Sequence, residues 1–152
     1  METAKATDVL NELITINNDR IEGYQTASDE TEEQDLKELF SQFISTSQKC
    51  KSELVSEVSG LGGEIAEGTK TSGKFFRVWM DVKAAITGKD RKAILDSCEF
   101  GEDVAVDTYE KALKDDWEEL TSEQQSMLRA QLSVIKADHD KVKSLRDALV
   151  TS

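Results

Sequence analysis

Apolar residues recur along this chain every three or four positions and almost never in strict alternation. That spacing marks amphipathic helices rather than strands. The first stripe, Leu10, Leu13, Ile14, Ile21 and Tyr24, predicts a helix over residues 7–30 with Thr7 or Asp8 as its N-cap. The second, Leu36, Leu39, Phe40, Phe43, Ile44, Cys50, Leu54 and Val58, predicts a helix over 32–59. Gly60, Gly62, Gly63, Gly68 and Gly73 then crowd one stretch, which reads as a loop. A short amphipathic helix over 74–87 carries Phe75, Phe76, Trp79, Val82 and Ile86. Asp90 can cap the next helix, 90–115, whose stripe is Ile94, Leu95, Cys98, Val106, Tyr109 and Leu113. Thr121 and Gln124 have the spacing of a capping box. They open the last helix, 121–149, on Leu128, Leu132, Ile135, Val142, Leu145 and Leu149.

The joints between these helices set the topology. The first two long helices are tightly joined, as are the last two, and short joints make antiparallel neighbours. The stretch from 60 to 90 is long enough to cross a whole bundle. One long crossover is the connectivity of ferritin-like bundles. The expected fold is therefore all-α: one domain over 1–152, a ferritin-like four-helix bundle with a short fifth helix in the crossover. A weak internal repeat supports the pairing. Sliding Tyr24 onto Tyr109, a shift of 109 − 24 = 85, lays Leu10 on Leu95, Leu13 on Cys98, Asn17 on Glu102, Ile21 on Val106 and Ala27 on Ala112.

Composition narrows the partners. A chain of 152 residues with no proline can fold on its own core, without disulfides or a structural metal. Its net charge of −12 argues against nucleic acid, which needs a basic surface, and against anionic membranes. No apolar run approaches the ~18 residues of a transmembrane helix. METAKATDV at the N-terminus lacks the pattern of a signal peptide, and Cys50 and Cys98 form no CxxC, so a reducing cytoplasm is the expected location. The glycines form no phosphate-binding motif. Phe75, Phe76 and Trp79 are expected to cover one side of the bundle or to meet a second subunit, a homodimer being the commonest assembly.

Candidate chemistry lies where polar residues interrupt the stripes, because a buried charge is costly unless paired or ligated. Asn17 does so on the first helix, Glu102 on the third long helix and His139, the one histidine, on the last. Ser47, Cys50 and Glu53 occupy the matching region of the second. Three readings follow: a structural Glu/His pair completed by Tyr24 or Tyr109, a metal site, or acid/base catalysis. The metal reading takes Glu102, His139 and Glu53 as ligands of an iron, manganese or zinc ion. The full di-iron pattern, with Glu-x-x-His on two helices, is absent: Lys136 precedes His139 by three residues, and Cys50 precedes Glu53. No catalytic residue is assigned. The cysteines read as small core residues.

Several segments resemble the bacterial ferritin-like four-helix-bundle proteins grouped as a domain of unknown function. They are Leu10-Asn11-Glu12-Leu13-Ile14, Leu61-Gly62-Gly63, the run from Trp79 to Gly88, Cys98-Glu99 with Gly101-Glu102-Asp103, His139-Asp140 and Leu145-Arg146-Asp147. The resemblance extends from about residue 8 to residue 149 and implies the ferritin-like fold in a cytoplasmic bacterial protein. It implies no agreed activity. A non-catalytic binding or stress-related bundle is the first expectation, and metal binding the alternative.

Overall fold

A computed structural model describes the backbone of residues 2–66, 74–88 and 91–151, and the side chains of 5–66, 80–88 and 91–149. Every regular element among them is helical. They are α1 (Glu2–Glu30), α2 (Gln34–Gly60), α3 (Lys74–Thr87), α4 (Arg91–Asp115), a single 3₁₀ turn (Trp117–Glu119) and α5 (Ser122–Thr151). The capping box at Thr121 forms in both directions: the Gln124 N–H donates to Thr121 Oγ1, and the Thr121 N–H donates to Gln124 Oε1. At the other end the sequence reading needs correction. α1 starts at Glu2, so Thr7 and Asp8 lie inside it and cap nothing. Residues 2–6 are mostly good helix formers, and the buried Ala6 anchors the extra turn.

α1 and α2 form one antiparallel pair. Near the joint, Lys37 Nζ donates to the Ser28 carbonyl; at the far end Thr7 lies against Gly63. α4 and α5 form the second pair, with Lys136 on α5 facing Glu110 on α4. α3 lies against α4 and α1, with Val82 and Ile86 buried among Tyr24, Leu36, Ile94 and Leu95. The sequence also placed Phe75, Phe76 and Trp79 on this helix, but their side chains fall outside the described residues. Arg91 at the start of α4 reaches Glu33 and Asp35 at the start of α2, which pins the two pairs together at that end.

The apolar core comes in two blocks. One gathers Leu10, Leu13, Leu54, Val58, Tyr109 and Leu128. The other gathers Tyr24, Phe40, Phe43, Leu95, Cys98 and Val142. Every long helix carries buried polar residues between the blocks: Asn17 and Arg20 on α1, Ser47 on α2, Glu102 on α4 and Asp138 on α5. None of the described helices is long and apolar enough to cross a membrane.

The end of α2 shows how the glycines act. The Gly63 N–H donates to the Val58 carbonyl and the Gly62 N–H to that of Ser59, the paired bonds of a Schellman cap. Gly62 carries the positive φ of 74° that such a cap requires. A Cβ on Gly63 would fall 2.6 Å from Thr7 Cγ2, so glycine there lets the turn lie against α1. Asn11 ties the same segment down, donating to the Glu64 carbonyl and accepting from the Ala66 N–H. Gly62→Ala should therefore lower stability in urea by about 1–2 kcal/mol, the cost of the left-handed region for a residue with Cβ. An unchanged midpoint would contradict the cap.

Candidate functional site

The polar layer is built from one face of each long helix. On α1, Asn17, Arg20 and Tyr24 follow one another by three and four residues, so they share the face that carries Leu10 and Leu13. Arg20 is the centre. Its side chain is only 1% exposed. Its Nη1 donates to Ser47 Oγ on α2 at 2.8 Å, while Nη2 donates to Glu102 Oε1 on α4 at 2.8 Å and to Asp138 Oδ2 on α5 at 3.3 Å. The Tyr24 hydroxyl donates to the same Glu102 oxygen, and the Ser47 hydroxyl passes its own proton back to the Phe43 carbonyl. One guanidinium thus links all four long helices.

A second chain of bonds does the same one level away. Asn17 Nδ2 donates to the Tyr109 hydroxyl at 2.9 Å, Tyr109 donates to Gln131 Oε1 at 2.7 Å, and Gln131 Nε2 donates to Glu53 Oε1 at 3.0 Å. The chain runs α1 to α4 to α5 to α2. The two networks are related by the sequence repeat. Tyr24 of α1 bonds Glu102 of α4, and Tyr109 of α4 bonds Asn17 of α1, with each residue 85 positions from its counterpart. The polar exceptions in the repeat are the partners of its two tyrosines.

Burial sets the electrostatics. For Arg20 it opposes the charge, but Glu102, Tyr24 and Asp138 outweigh it, and the pKa stands above that of an ordinary arginine. Burial first, then Glu102, pushes the Tyr24 hydroxyl well up. Burial also raises Tyr109 and Cys98, and moves Cys50 to about 11, so both thiols are protonated and poor nucleophiles near neutral pH. Asp138 rises to about 6, first by burial and then by repulsion from Glu102, although Arg20 and a hydrogen bond from Thr46 oppose the rise. The count of charges explains it. Glu102 alone balances Arg20, so the second carboxylate is surplus in a buried site.

The three residues suggested by the sequence as metal ligands are not gathered. Glu102 is buried, but on Arg20 and Tyr24. Glu53 is an exposed residue whose carboxylate reaches only the edge of the layer, at Gln131. His139 faces outward between the helices of the second pair. Its Nε2 lies 2.7 Å from Asp103 Oδ1 and 3.8 Å from Glu99 Oε1, and its Nδ1 lies 3.2 Å from Asp140 Oδ1. Glu99, Asp103 and His139 bring one ligand atom each to within 4.8 Å of one another, and among the described residues they alone make such a group.

The reason is a one-residue offset. The buried stripe of α5 is Leu128, Gln131, Ile135, Asp138 and Val142. The sequence reading stepped four residues from Leu128 to Leu132, and four from Ile135 to His139, where the helix face steps three. One position turns a helical side chain by about 100°, so Asp138 enters the layer and its neighbour His139 leaves it. Arg20 was missed although the signal was present: it stands between Asn17 and Tyr24 at helical spacing.

The surplus carboxylate makes a prediction. The folded pKa of Asp138, about 6, lies above the ordinary 3.8. Its protonated form therefore adds stability that is complete below 3.8 and lost as pH rises through 6. Asp138→Asn cannot titrate. Its stability relative to the parent should improve by about 2–3 kcal/mol between about pH 4 and about pH 8, measured by urea unfolding with a chelator present. A difference independent of pH would contradict this.

Comparison with curated proteins gives no match. Residues 5–115, spanning α1 to α4, match a family described only as a domain of unknown function, DUF2383. The match covers most of the chain, and the protein belongs to that family.

Proposed function

We propose that this chain is a non-catalytic, ferritin-like four-helix bundle, a binding or stress-related protein that works through its outer surfaces. The observation that carries this reading is the position of Arg20. In bundles of the di-iron type, carboxylates from facing helices project inward onto metal ions. Here Glu102 and Asp138 project inward onto a guanidinium instead. The fixed cation balances Glu102 and holds both carboxylates with direct hydrogen bonds. A metal ion at that level would have to displace Arg20 into an apolar interior, where an unpaired charge is very costly. Both thiols are protonated and buried, which supports the same reading.

The connectivity supports the ferritin-like assignment. Two antiparallel helix pairs are separated in sequence by a shorter helix that lies against both. Fold alone carries no activity. The alternative, an iron-type ion on Glu102, His139 and Glu53, would require Glu102 to leave Arg20 and His139 to turn inward.

The test is ferrous iron mixed aerobically with the protein. Any oxidation beyond that in protein-free buffer should be unaffected by Glu102→Gln. Rapid oxidation in proportion to protein, abolished by Glu102→Gln, would overturn the proposal.

A further inference from the structure

We infer that Glu99, Asp103 and His139 form a surface binding site for one divalent first-row transition-metal ion, distinct from the Arg20 layer. Glu99 and Asp103 are four residues apart on α4, so their carboxylates share a face. His139 meets them from the antiparallel α5. Ligand atoms around one such ion, each about 2.1 Å from it, stand at most about 4.2 Å apart. Nε2 already lies 2.7 Å from Asp103 and 3.8 Å from Glu99, and all three atoms fall within 4.8 Å of one another. Side-chain adjustments alone close the remaining gap.

The histidine is also oriented as a metal ligand is. Its Nδ1 stands 3.2 Å from the Asp140 carboxylate. In the tautomer where Nδ1–H donates to Asp140, Nε2 directs a lone pair at two carboxylate oxygens. At 2.7 Å the contact between Nε2 and Asp103 is a hydrogen bond through one proton, and a metal ion would take that proton's place. A carboxylate behind the far nitrogen of a ligating imidazole is the usual outer-shell arrangement.

Ligand chemistry narrows the ion. Two carboxylates with an imidazole suit zinc, ferrous iron or manganese better than the hard calcium or magnesium ions. Asp103 is exposed and Glu99 and His139 partly so, and the ion would keep water in its remaining positions. Arg146 is the competitor. Its guanidinium pairs with Glu99 and approaches Asp96 and Asp147. Metal binding must release Glu99 from it.

The experiment is calorimetric titration of the full chain, without a histidine tag, with zinc chloride. One ion per chain should bind, and His139→Gln should weaken binding at least tenfold without loss of helicity. Arg146→Met should strengthen it several-fold by freeing Glu99. Glu53→Gln, which alters an exposed carboxylate outside the site, should leave it unchanged. Absence of zinc binding would overturn the inference. So would binding indifferent to His139→Gln, binding weakened by Arg146→Met, or binding lost with Glu53→Gln. None of these outcomes depends on whether the interior oxidises iron.

Discussion

A guanidinium removed from water must be answered by carboxylates, and in this protein that single requirement ties the long helices together. Arg20 leaves α1 and finds Glu102 on α4, Asp138 on α5 and Ser47 on α2. Sliding any of these helices along its axis would leave a charge or a donor unpaired in an apolar interior. Apolar side chains tolerate imperfect register, since their attraction is non-directional. Hydrogen bonds to a planar fork do not. The Arg20 cluster therefore fixes which residues meet at which level, and the two apolar blocks fill the space above and below it.

The second network repeats the design with neutral groups. Asn17, Tyr109 and Gln131 carry a bonded chain from α1 through α4 to α5, ending at Glu53 on α2. The reciprocal bonds Tyr24–Glu102 and Tyr109–Asn17 give the interior an approximate two-fold relation between its halves. The symmetry is broken where the charge is: the counterpart of Arg20, 85 residues on, is Ala105, which is also buried. One cation serves both halves. Its pairing, and the raised Asp138 pKa that follows from two carboxylates sharing it, make the interior a structural unit.

Much of this was legible in the sequence. The five helices follow from apolar periodicity. The capping box at Thr121 and Gln124 and the glycine-rich stop after α2 follow from local backbone needs. The repeat shift that aligned Tyr24 with Tyr109 also aligned Asn17 with Glu102, and those four residues do meet. What failed was angular resolution. A stripe that alternates steps of three and four is ambiguous by one residue wherever polar positions interrupt it, and at residues 138 and 139 both candidates are polar. Arg20 escaped notice for a different reason. Arginine is almost never fully buried unless paired, and its two carboxylate partners lie 82 and 118 residues away. Glu53 was read with the inward residues, but it lies one residue off the stripe that runs through Ser47, Cys50 and Leu54.

The central claim is that the Arg20 charge and its carboxylates stabilise one another as a unit. Equilibrium unfolding in urea of Arg20→Met, Glu102→Gln and the double variant tests it most directly. Removing Arg20 alone should cost about 3–5 kcal/mol, because Glu102 is left buried without its counter-charge. The double variant should recover a large part of that loss, with a coupling energy of at least about 1 kcal/mol. Additive costs in the double variant, or an Arg20→Met protein as stable as the parent, would contradict the account.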